Sequence, residues 1–273
     1  MKTLRFIKYM CLHLGLRGLW CAFVLFMAFS IVLHCNRSTG ADYALCDLLS
    51  VSAPASQHLS YTAFDVYFNP GWHIPSCVAY ELTARETSGP IARTDQWLAD
   101  DNALGCPRPD EYSGSGYDRG HMVPAADLKW SRQAMQESFY MTNICPQDHE
   151  LNGGAWSVLE DKVRQWAHGY GRVIVFTGPI VLSADTVTIG PSHVRVPSAF
   201  YKIVACGKGD GMRAVAFVYP NDDTPNSSAR ELRDYAVTID EVESLTGIDF
   251  FSAMPQDWQQ RIEASTTLNY LLH

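Results

Sequence analysis

The sequence predicts an α+β fold, a mainly antiparallel central sheet with flanking helices. Strand-like runs recur along the chain without the regular strand–helix–strand alternation of a parallel sheet, and one long amphipathic helix is inserted among them. At 273 residues, with 47% apolar and 12% aromatic content, the chain has the means to bury one substantial core and falls outside the disordered class.

Taken from the N-terminus, the first segment carries Lys2, Arg5, Lys8 and Arg17 without an acid, then a run from Leu19 to Leu33 broken only by Ser30. A basic stretch followed by about 15 apolar residues is the pattern of an export signal, because a spanning helix takes about 20. Residues 1–35 are therefore expected to be a signal peptide or membrane anchor, and the protein to be exported: secreted, periplasmic or membrane-anchored. No small-x-small cleavage pattern follows, and His34 before Cys35 suits lipoprotein processing poorly, so cleavage and membrane attachment through the N-terminal segment both stay open. Residues 36–58 are polar and rich in small side chains and read as a tether, which puts the folded domain at 59–273.

Within the domain, Tyr61–Phe68 and Cys77–Thr83 read as strands turned by Asn69-Pro70-Gly71. Residues 99–117, rich in Asp, Gly, Pro and Ser, form a long loop. Ser131–Tyr140 has helical character, and Gly153–His168 spaces Trp156, Leu159, Val163 and Trp166 as an amphipathic helix does. Gly169 and Gly171 stop that helix, Arg172–Pro179 reads as a buried strand, and further strands follow at Ala199–Ala205 and Met212–Val218.

Charge argues against a protein that grips nucleic acid through a broad basic surface. Without residues 1–35 and their four bases, 17 of the 21 basic residues face 29 acids, a formal charge of −12. The stretch from Asp118 to Arg172 is nearly balanced, which an enzyme with a local cationic cleft and a metal would tolerate. Past the first segment stand Cys46, Cys77, Cys106, Cys145 and Cys206, enough for at most two disulfides and a free thiol, without the paired C-x-x-C spacing of a zinc site.

Chemistry concentrates in Asp118-Arg119-Gly120-His121, with Asn143, Asn152 and Glu160 downstream. Histidine exchanges a proton near neutral pH, arginine matches phosphate with a rigid fork of donors, and carboxylate or amide oxygens suit a hard divalent cation. Asn152, Trp156, Glu160 and Arg164 are four residues apart and share one side of the predicted helix. Each residue also has a plainer reading: Asn152 as a helix cap, Glu160 with Arg164 as an ordinary ion pair, Gly120 as a turn glycine instead of a bend that aims Arg119 and His121 into one cleft.

Three ordered blocks carry a resemblance. They are Asp118-Arg119-Gly120-His121-Met122 with Ala126, Ser138–Gln147, and Leu151–Trp156 with Leu159-Glu160. Together they resemble the DNA/RNA non-specific endonuclease family, the endonuclease G-like nucleases with a ββα-metal active-site motif, over roughly Leu59 to Phe251. The resemblance implies that His121 is the general base and Asn152 the direct protein ligand of Mg²⁺, with Mn²⁺ or another divalent cation as the alternative. It implies that Glu160 holds water around the cation, that Arg119 and Arg164 face phosphate, that Asp118 orders the water shell or the histidine, and that Asn143 supports the site by hydrogen bonding. DNA and RNA would both be substrates, cut to 5′-phosphate ends, and a homodimer is a further expectation from relatives. Arg93 and Arg108 are candidates for an additional phosphate clamp that the sequence does not place. The rival readings are a cysteine hydrolase using Cys145 and His121, which lacks an identified oxyanion hole, and a non-catalytic exported binding domain on the same fold.

Overall fold

Alternation along the strands sorts their side chains onto two faces, and helices cover both. The computed structural model describes residues 43–227 and 231–266. Its strands are β1 (Val51–Ser52), β2 (Gln57–Ser60), β3 (Asp65–Asn69), β4 (Ile74–Thr83), β5 (Asp118–His121), β6 (Ile144–Gln147) and β7 (Arg172–Ile180). They continue with β8 (Thr188–Ile189), β9 (Val194–Arg195), β10 (Ala199–Cys206), β11 (Arg213–Pro220), β12 (Ala236–Val237) and β13 (Asp249–Phe250). The main helices are α1 (Leu45–Leu48), α2 (Arg132–Glu137), α3 (Ser157–Tyr170), α4 (Ile239–Thr246) and α5 (Gln256–Glu263).

Seven strands form the central sheet in the order β12-β11-β10-β7-β4-β3-β2, every neighbouring pair antiparallel, as the sequence predicts. Val66, Val78, Tyr80, Val173, Val175 and Phe217 point to one face and meet Leu159, Val163 and Trp166 of α3. Cys77, Ala79, Ile174, Phe176 and Ile203 point to the other and meet Ile239 and Val242 of α4 and Trp258 and Ile262 of α5. Covering both faces explains why β7 reads as a continuous apolar run instead of an alternating one. Each fully buried side chain of this kind contributes about 1.5–3 kcal/mol, and the two cores together hold the central sheet.

The β3–β4 hairpin is where the sequence puts it, with the Asn69 side chain accepting from the backbone N–H groups of Gly71 and Trp72 at 2.9 and 3.2 Å. Its first strand is shorter than predicted, because Tyr61–Phe64 is a turn closed by Tyr61 N–H to Phe64 O at 2.9 Å. The expected tether at 36–58 and domain start at Leu59 need correction, since the chain is part of the fold from Tyr43 onward. Leu48 is fully buried in the second core, Val51 pairs with Phe250, and β2 forms a sheet edge. Composition hid this because the partners lie up to two hundred residues away. Residues 1–42, on which the expected signal peptide or anchor falls, lie outside the described residues; among the described residues no helix is long and apolar enough to cross a membrane. The five cysteines named above are all free, and only Cys46 is exposed.

Candidate active site

The β5–β6 ribbon pairs Asp118 with Gln147, Gly120 with Cys145 and His121 with Ile144. Arg119 and His121, two residues apart on a strand, share a face without any bend. Gly120 serves a different purpose from the predicted one: it lies so close to the Gln147 side chain that a Cβ would collide with it. The same register sends His121 and Cys145 to opposite faces of the ribbon. Cys145 is fully buried, and burial raises its thiol pKa, so a His121-activated cysteine nucleophile has no support here.

His121 is 8% exposed and wedged between aromatic rings, 5.1 Å from Trp97 and 5.0 Å from Phe139 between centroids. Its Nε2 is buried and has no hydrogen-bond partner. Burial, helped by the nearby Arg93 charge and opposed by Asp95, lowers the imidazole pKa to about 3, so the ring is neutral at any working pH. Arg93 pairs with Asp95 at 2.6 Å and lies 5.0 Å above the Phe139 ring, which makes it the additional cation beside the site. Arg108 instead makes an exposed pair with Asp110 at 3.5 Å. Arg119 stacks over Trp97 at 5.4 Å and donates from Nε and Nη2 to Pro109 O at 3.2 and 2.6 Å.

Asn152 is not a helix cap. Asp148, four residues earlier, takes that position, accepting from Glu150 N and Leu151 N at 2.9 and 3.1 Å. The Asn152 amide is thereby released and donates from Nδ2 to Asp118 Oδ2 at 2.9 Å. The same Asp118 oxygen lies 3.0 Å from Nδ1 of His149, an exposed imidazole whose pKa this hydrogen bond raises. Between Asn152 and α3 the helix widens into a π turn, Asn152–Trp156, with Gly154 outside helical backbone space (φ −109°, ψ −109°). Asn226 fills the break: its Oδ1 accepts from Ala155 N at 2.7 Å, its Nδ2 donates to Glu150 O, and a Cβ on Gly154 would collide with its amide. The predicted helix start at Gly153 therefore falls within an interruption.

Glu160 and Arg164 follow along the stripe the spacing predicts, and they meet more charge than the sequence suggested. Arg164 Nη1 pairs with fully buried Asp127 at 2.8 Å, and its Nη2 pairs with Asp161. Its fork is thus committed within the protein, in contrast to the expected phosphate contact. Asp127 also accepts from Tyr80 Oη at 3.2 Å. Lys202, fully buried on β10, lies 4.5 Å from the Trp156 ring and donates to Thr177 Oγ1 at 3.2 Å. Burial raises the Glu160 pKa against the pull of Lys202, and burial lowers that of Lys202 against the pull of Glu160. Asn143 is buried: its Oδ1 accepts from Val123 N at 2.9 Å, and its Nδ2 donates to Val123 O and Ser138 O at 3.0 Å. It therefore fixes the chain just beyond His121.

The structure thus joins Asp118, Asn152 and His149 by direct contact at one end of the ribbon, with Arg119 and His121 on the same short strand. Residues 47–257 match the family model described as DNA/RNA non-specific endonuclease. The chain belongs to this family. Human mitochondrial endonuclease G is 37% identical over 150 residues, covering 51% of this chain and 50% of the relative. Mitochondrial nuclease 1 of Schizosaccharomyces pombe is 35% identical over 181 residues, covering 60% and 56%, and the mitochondrial nuclease EXOG of Xenopus laevis is 33% identical over 205 residues, covering 70% and 57%. The chain therefore spans a little over half the length of these relatives. A solved EndoG/EndoGI complex, a structure described as showing the mechanism of EndoG inhibition, contains a chain of the same fold. The TM-score is 0.66 at 25% identity, covering 77% of this chain and 90% of that one.

Sequence reasoning missed Trp97, Asn226 and Lys202, and did not connect His149 with Asp118. Trp97 sits in a loop and Asn226 in the short helix Thr224–Ser227, and the approach of each to the site depends on tertiary structure. Lys202 carried a signal, as a lysine inside an otherwise apolar strand, and His149 stands three residues before Asn152.

Proposed function

We propose that the protein is a divalent-cation-dependent nuclease that hydrolyses phosphodiester bonds of DNA and RNA to 5′-phosphate ends. The observation that carries this reading is the Asp118–Asn152 hydrogen bond. By holding Nδ2, the carboxylate fixes the amide orientation and leaves Oδ1, a hard neutral oxygen, as the free end of the side chain. An amide oxygen beside a carboxylate fits Mg²⁺, or Mn²⁺, which binds few protein ligands and keeps much of its charge for other oxygens. When bound, the cation supplies positive charge to phosphate oxygens.

The chain's own groups divide the remaining work. His121, kept neutral by burial, accepts the proton of an attacking water, a role that contributes about 10²–10⁴-fold when the base is well placed. A phosphate brought near the ring raises its pKa from about 3, which improves it as a base only once substrate is present. Arg119 presents Nη1 to phosphate while Pro109 O fixes its other nitrogens. Glu160, on the same helix stripe as Asn152, holds ordered water, and Arg164 with Asp127 holds α3 in place. Contacts to phosphate alone carry little base information, so low sequence specificity follows. The basic start and long apolar run of residues 1–35 support export with a cleaved signal or membrane anchor, although the relatives above are named as mitochondrial. A homodimer is proposed only from the resemblance.

The purified chain is expected to convert supercoiled plasmid to nicked and linear forms and to degrade RNA in Mg²⁺, and to do neither in EDTA. His121→Ala should lose at least about 10²-fold in rate while keeping its circular dichroism spectrum. Cleavage that persists in EDTA, or a His121→Ala variant as active as the parent, would overturn the reading.

A further inference from the structure

A second set of oxygen ligands stands on the sheet face opposite α3. Asp240 and Glu243 lie three residues apart on one side of α4, and Glu263 ends α5. One carboxylate oxygen from each of the three lies within 4.8 Å of the others. Glu263 is only 6% exposed, and its Oε1 is buried with no hydrogen-bond partner. Glu243 accepts one backbone bond, from Phe250 N at 2.9 Å, and Asp249 on β13 adds a fourth negative charge to the same field. Among the described residues no ion pair reaches these four carboxylates.

Burying a carboxylate oxygen without a donor is costly, and gathering like charges around it adds to the cost. We propose that Asp240, Glu243 and Glu263 form a Ca²⁺ site that ties α4 to α5, distinct from the Asn152 centre. Two oxygens bound to one Ca²⁺ stand up to roughly 5 Å apart, against about 4 Å for Mg²⁺, and three carboxylates with few waters suit the larger ion. The site lies among the residues of the second core, whereas Trp156 and Leu159 of the Asn152 helix belong to the first. Its effect is therefore on stability.

The test uses the full-length chain, stripped with EDTA and melted with and without millimolar CaCl₂, alongside Glu263→Gln, Asp240→Asn and Asn152→Ala. Saturating Ca²⁺ should raise the parent's melting temperature by roughly 5 °C or more. Glu263→Gln and Asp240→Asn, which keep side-chain shape and relieve repulsion, should fold but lose the shift. Asn152→Ala should keep it, and calorimetric titration of that variant should give one Ca²⁺ per chain. No shift in the parent overturns the proposal, as does an equal shift in Glu263→Gln or loss of the shift in Asn152→Ala. A parent that ignores Ca²⁺ while Glu263→Gln melts higher would mean that the buried oxygen holds a proton. This readout does not depend on nuclease activity, so its failure leaves the proposed function untouched.

Discussion

Replacing Asp118 by Asn tests how the candidate metal ligand is oriented. Asp118 Oδ2 accepts from Asn152 Nδ2 at 2.9 Å, a bond between a neutral donor and a charged acceptor. Such bonds contribute about 1.5–3 kcal/mol, and because the Asp118 side chain is 34% exposed, solvent screening places this one near the lower end. At 1.4 kcal/mol per decade, the Mg²⁺ concentration for half-maximal plasmid nicking should rise about 10–30-fold, within the range known for partners that orient metal ligands. The maximal rate should change less than the half-saturating concentration. His149 loses the same partner, so His149→Ala is the control and should reproduce little of the effect. In an Asn152→Ala background, Asp118→Asn should add almost nothing. A half-saturating Mg²⁺ concentration within about twofold of the parent's, or full additivity of the two substitutions, would refute the orienting role.

Two further outcomes follow from buried groups. Asp127→Ala strands Arg164 beneath α3 and should cost about 3–5 kcal/mol; with about 2–4 °C per kcal/mol for a chain of this size, calorimetry should show a large fall in melting temperature, partly recovered by adding Arg164→Met. Trp97→Ala removes one wall of the His121 pocket and should raise the imidazole pKa from about 3 toward about 6.5, read by NMR titration and by loss of cleavage below about pH 6. The sign for stability follows from proton counting. Between those two values the unfolded chain binds the extra proton, so the parent loses stability as pH falls from about 6.5 toward 3, and the variant should lose less.

Much of the architecture was legible because periodicity is local. The apolar run of β7, the hairpin at Asn69 and the spacing of Leu159, Val163 and Trp166 each record what their own neighbours bury. The start of α3 was not, because two residues move it: Asp148 captures the cap, and Gly154, wedged against Asn226, breaks the helix three residues after Leu151. At the site, residue types and the family resemblance brought out His121 and Asn152. They could not show that Arg164 is consumed by Asp127, nor that Trp97 walls the histidine, because both depend on segments more than twenty residues away. The mistaken tether has the same origin, since Leu48 and Val51 find their partners near the opposite end of the chain.

The chain leaves the central sheet after Thr83 and returns at Arg172, directly opposite on the adjacent strand, with Ala84 N–H bonded to Gly171 O at 2.8 Å. Everything from Trp97 to Arg164 thus belongs to one excursion whose two ends are stapled side by side. Such a segment is a cassette at its ends only, because inside it Leu159, Val163 and Trp166 of α3 cover one face of the sheet and Asp127 accepts from Tyr80, so its loops are free to change length while that inner surface is not. Transplanting it would require the sheet face under α3 to travel with it, and with that face Lys202 beneath Trp156 and Asn226 in the helix break, which the scaffold also supplies.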